Sequence, residues 1–349
     1  MKKAVVFVIV MVAVYLLAFP TRLKPELHFS PGWASELGTK TDPPRGERPN
    51  RIHFFNLDEA FGYITDGGDV LYLDRKMYGV AIDSRRFVNY SSVSGNLVVQ
   101  GSSGEVLDAI EIRGYPLLLD DRIFIISTNR GEFGEIDIQG TYIWKYEYSS
   151  PITDLDAQNG RVLLGLLDGR VYLYKTDGSR EVEISFQRSR VNAVYGCALS
   201  ADGTRFSVVH GIDPQILSVF ELNPEPKLIF EAELADTFRR RRVVDFISQG
   251  EYVVVDGQDG VYIMDLDRGE LFDIIISGRL VGGFSDVSDP LAFILTHDGK
   301  TANLLTVALP PAELARSSYP ASQTVLINGE NYIILGIDRY LGRIDRMVR

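Results

Sequence analysis

Cysteine is nearly absent. One residue in 349, Cys197, carries a thiol, so no intrachain disulfide can staple the chain. A disulfide scaffold is excluded, but the compartment is left open. Histidine is scarce too: His28, His53, His210 and His297 never stand at a ligand spacing such as HxxxH, and no cysteine cluster joins them. No metal, cofactor or catalytic residue is expected on these grounds. A basic excess is missing as well. Thirty-six Lys and Arg face 47 Asp and Glu, a net charge of −11, which excludes nucleic acid as a natural partner. Asp-Gly pairs at 66–67, 168–169, 177–178, 202–203 and 298–299 stand alone, without the DxDxDG density of a calcium loop, and read as hairpin turns.

One long apolar run exists, at the N-terminus. Lys2 and Lys3 precede sixteen uncharged residues, Ala4 to Phe19, which would span ~24 Å as a helix. Leu16 stands where a cleavage site needs a small residue, so we read residues 1–20 as an uncleaved signal anchor. The lysines then keep the N-terminus in the cytoplasm of a bacterial cell, with the remainder on the extracytoplasmic side of the inner membrane. No cysteine follows the run, which excludes lipoprotein processing. Residues 21–50 hold Pro25, Pro31, Pro43, Pro44 and Pro49 without a hydrophobic period and read as a linker. A folded body is expected over 51–349.

That body repeats itself. A tight turn followed by a strongly apolar strand recurs at 66–68 (before DVLYLD), 120–121 (RIFIIS), 159–160 (RVLLGL), 202–203 (TRFSVV), 249–250 (EYVVVD), 289–290 (LAFILT) and 328–329 (NYIILG). Successive spacings are 53, 39, 43, 47, 40 and 39 residues. Short strands with a period near forty predict an all-β propeller of seven blades, with eight as the alternative. The 53-residue interval, holding FVNYSS and NLVVQ, is read as a hairpin insertion. The surplus strand Arg51–Asn56 is expected to complete the last blade and close the ring.

Residues 136–174 resemble the pyrroloquinoline-quinone-type repeat of quinoprotein-like propellers. Gly140 and Trp144 match its Gly-x-x-x-Trp, Pro151-Ile152 its next strand, and GRVLLGLLDGRVY its hairpin. The segment ALSADGTRFSV (198–208) is similar instead to WD-repeat or TolB-type strands. The resemblance implies the fold, and a family that includes periplasmic scaffolds binding no quinone.

The candidate site is FRRRR, Phe238 to Arg242. Four adjacent arginines repel one another unless water or anions relieve them, which predicts an exposed loop at the propeller rim. Phe238 with Arg239, Arg240, Arg241 and Arg242 is expected to grip an acidic segment of a protein partner, or anionic lipid. The expected function is a non-catalytic, membrane-tethered binding scaffold. The alternatives are a propeller-class hydrolase or cofactor-dependent oxidoreductase, and a small-molecule sensor.

Overall fold

The computed structural model describes residues 27–38, 51–91, 95–236, 238–285 and 291–348. Residues 1–20, read as the anchor, lie outside them. No helix of the described residues is long and apolar enough to cross a membrane.

Eight antiparallel sheets form a ring, so the propeller has eight blades and not seven. Blade 1 spans 52–75, blade 2 79–111, blade 3 115–147, blade 4 152–185, blade 5 191–233, blade 6 244–275, blade 7 279–320 and blade 8 324–348. Blades 2 to 7 each run outward in chain order through four strands. Their first strands neighbour one another around the axis and line a central channel. Second strands are buried almost throughout, as in Tyr252–Asp256 and Leu291–His297. Outermost strands such as Ala312–Pro320 face solvent.

Packing fixes the blade count independently. Eight hydrophobic clusters occur among the described residues, and each joins two adjacent blades. Leu163, Phe206 and Val208 bridge blades 4 and 5, whereas Phe61, Tyr63 and Phe87 bridge blades 1 and 2. Phe55, Ile64 and Ile334 seal blade 1 against blade 8. The stability of the ring therefore lies between blades, where both faces of each sheet leave water.

The repeat was miscounted because its phase was wrong in blade 1. The turn Leu57–Glu59 lies on the face where first strands begin: Glu59 N–H donates to Gln323, just ahead of the first strand of blade 8. Ile52–Asn56 therefore runs like a second strand, and the turn at 66–68 joins a third strand to a fourth. In that phase the second strands start at 52, 86, 122, 161, 205, 252, 291 and 332, a regular series. The supposed insertion is blade 2 in full.

Closure by an N-terminal strand holds, but the strand is a different one. Leu27–Glu36, inside the stretch read as linker, pairs antiparallel with Tyr340–Val348 and becomes the outermost strand of blade 8. Its Trp33 donates from Nε1 to the carbonyl of Asp66 at 2.8 Å. The indole lies on Gly68, where a Cβ would meet it at 2.7 Å. Gly68 has φ 94°, a conformation that favours glycine.

The same device recurs along the chain. Tyr72 covers Gly104, Ile110 covers Gly140 and Trp144 covers Gly178, each from an outermost strand onto the last turn of the following blade. The two tryptophans of the chain thus hold equivalent positions three blades apart.

Candidate functional site

First strands bring carboxylates into the channel. In Ile152–Gln158, Asp154 and Asp156 point the same way because strand side chains alternate. Asp154 accepts the Cys197 N–H at 2.9 Å and Asp156 the Leu199 N–H at 2.8 Å, both from blade 5. Asp256 accepts the Leu280 N–H of blade 7 at 2.8 Å. These three are staples between blades. Burial pushes the Asp154 and Asp156 carboxyls up, while their N–H donors, and for Asp154 the Arg241 guanidinium, pull them down. Asp245, in the first strand of blade 6, faces the channel with its side chain exposed there, although protein surrounds it at longer range. Desolvation, with Asp156 nearby, pushes it up to about 7.

The arginine run crosses the channel mouth, the face on which first strands begin. The Arg242 N–H donates to the Tyr195 carbonyl, which pins the loop on the first strand of blade 5. Its five residues then part company. Arg242 is fully buried and bonded to Gln215, Asp236 and the Asp256 carbonyl. The expectation of four arginines in water fails here, because Asp236 and Gln215 take up this guanidinium inside the fold. Phe238 is likewise engaged internally: its backbone bonds Gln215, and Arg242 and Arg279 lie over its ring at 5.2 and 5.4 Å. Arg241 reaches over to blade 4, with Nε 2.7 Å from Asp154 Oδ1. Arg239 and Arg240 are exposed and have no hydrogen bond or ion pair among the described residues.

A cavity of about 450 Å³ opens beside this loop. Arg241 and Asp154 form one wall. Tyr78, Tyr90 and Tyr115 form the other, with ring centroids 6.3 to 6.4 Å apart. Arg130 lies at the rim. None of these three tyrosines, nor Arg130, stood out in the sequence. A tyrosine at the start of a first strand becomes visible only once the strand's direction is known, and blade 2 had been read as an insertion.

The remaining reactive groups are occupied. Cys197 is buried, and that burial pushes its thiol well above the usual range, the state of a small packed hydrophobe. His210 stacks on Phe186 at 3.7 Å, bonds Ser218 and is lowered to about 3 by burial. His53 bonds the Tyr332 hydroxyl at 2.7 Å. Among the described residues no group of three His, Cys, Asp or Glu could hold a metal ion.

The ring of eight sheets defines an eight-bladed β-propeller. A family model described as "beta-propeller protein" matches residues 1–348, and the chain belongs to that family. It is 26% identical over 340 residues to an uncharacterized protein of Treponema pallidum (strain Nichols), covering 95% of this chain and 90% of that one. Among solved structures it is similar to BamB from Moraxella catarrhalis (TM-score 0.61, 15% identity, 91% of this chain and 100% of that one). It is similar also to the computationally designed Ika8 protein (TM-score 0.62, 14% identity, 83% and 91%). At these identities the two structures speak for the fold.

Proposed function

We propose that this propeller is a non-catalytic scaffold, tethered to the bacterial inner membrane by residues 1–20, that holds a protein partner at its channel mouth on the extracytoplasmic side. The observation that carries the reading is the placement of free cations in an acidic chain. Most described arginines are paired with carboxylates, such as Arg122 with Glu135 and Arg161 with Glu181. Arg239 and Arg240 are unpaired and project at the mouth, where an acidic segment would relieve their repulsion.

A second reading, a propeller-class enzyme, rests on Asp245, whose carboxyl is poised near neutrality. Asp154 and Asp156 beside it are spent on backbone N–H groups, which favours the scaffold.

The test uses full-length protein in native membranes. Whatever is cross-linked to the wild type should be lost from the Arg239→Ser/Arg240→Ser variant and should weaken with added salt. The chain itself should resist carbonate extraction. A partner retained equally by both proteins, or a chain released by carbonate, would overturn the respective half of the proposal. Recovery on protein-free anionic vesicles alone would assign the cations to lipid.

A further inference from the structure

We infer that the cavity between Tyr78, Tyr90, Tyr115 and Arg130 is a receptor for one large apolar side chain of an acidic, extended partner segment. The inference deepens the scaffold reading and rests on it. It adds a pocket and a specificity that the arginine run alone does not contain.

Three observations lead to it. The first is exposure. Tyr78, which lines the cavity, is 61% exposed, and Met77 next to it in sequence is 62% exposed, an unusual cost for two adjacent large side chains. The second is rigidity. Tyr78 N–H donates to the Tyr90 carbonyl, Met77 N–H to Asn89 Oδ1, and Asn89 Nδ2 to the Arg75 carbonyl. The aromatic corner is therefore held in place before anything binds, and preorganisation of this kind lowers the entropic cost of association. The third is charge. The Arg130 guanidinium has no hydrogen bond or ion pair among the described residues. It lines the same cavity as Arg241, the neighbour in sequence of the unpaired Arg239 and Arg240.

A ring or branched aliphatic side chain enters among the three tyrosines, where face and edge contacts with aromatic rings are favourable. Carboxylates on either side of it meet Arg130 and the free arginines of the loop. Aromatic and arginine residues around a desolvated pocket are the composition of an interface hot spot. A basic segment is disfavoured by the same cations.

The test uses the full-length protein and three fluorescein-labelled peptides of eight residues. One is acidic with a central tryptophan, one has alanine in place of that tryptophan, and one is lysine-rich with the tryptophan kept. The first should bind most tightly by anisotropy. Losing the tryptophan, or substituting Tyr78→Ser or Arg130→Asn, should each weaken it about thirtyfold, the scale of a hot-spot contact. Asparagine suits position 130, whose φ is 58°. Equal binding of the first two peptides, or binding indifferent to Tyr78→Ser, overturns the pocket. If membrane cross-linking still depends on Arg239 and Arg240 in that case, the scaffold reading stands without it. If both fail, both fall.

Discussion

At Arg239 to Arg242, four identical side chains have different fates within one loop. Composition gives them one character, and the neighbours give them several. Arg242 is desolvated but repaid by Asp236, Gln215 and a carbonyl, and removing one member of such a set strands the others. Arg242→Ser should therefore cost about 3–5 kcal/mol in chemical denaturation. The Arg239→Ser/Arg240→Ser double variant should unfold within about 0.5 kcal/mol of wild type, as surface substitutions do. Equal losses in the two would remove the distinction. The sequence announced that this run mattered, because like charges in series demand an explanation. It did not announce the partition, since Asp236, Gln215 and Asp256 are brought to Arg242 by two different blades.

Among the elements, Leu27–Glu36 is the instructive one. Two prolines flank or interrupt its neighbourhood, Pro25 and Pro31, and proline normally argues against a strand. The position tolerates it. Leu27–Glu36 is an edge strand paired on one side only, and its register shifts between Pro31 and Ala34. Trp33 was the available signal: a lone tryptophan in a supposed linker had no reason to be there. A chain that starts at Leu27 should melt like the full-length propeller. One that starts at Thr39 loses Trp33 from its seat on Gly68, a loss of order 3 kcal/mol, and should melt roughly 6 °C lower or more. Identical melting of the two by calorimetry would dissociate this strand from closure.

For the molecule as a whole, fold class was legible and blade number was not. Asn-Gly and Asp-Gly mark turns, but a turn signal does not say which pair of strands it joins. The turn at 66–68 was assigned to the first hairpin of its blade when it forms the last. Blade 2 escaped because its first turn, at 83–86, uses the Asp83 carboxylate to accept the Arg85 and Arg86 N–H groups and has no glycine. The channel is likewise a property of the ring. Asp245 holds its proton in the folded chain to about pH 7, whereas unfolded aspartate releases it near ~4. Its pKa is raised, so the native state is favoured most below about pH 4 and loses that advantage as pH rises toward 7. Asp245→Asn should match wild type in melting temperature near pH 4 and exceed it progressively up to pH 7. A constant difference across that range would show that the carboxyl does not titrate in the channel.

The pairing of Leu27 with Val348 has a mechanical consequence. Both residues lie on the face opposite the channel mouth, so the strand begins on the far side of the ring. A pull applied at Leu27 along the axis of Leu27–Glu36 runs parallel to the strand. Its ladder to Tyr340–Val348 is then loaded in shear, with the rungs sharing the force, instead of being peeled open one rung at a time. The ring's fastening is thus oriented to withstand tension applied at Leu27.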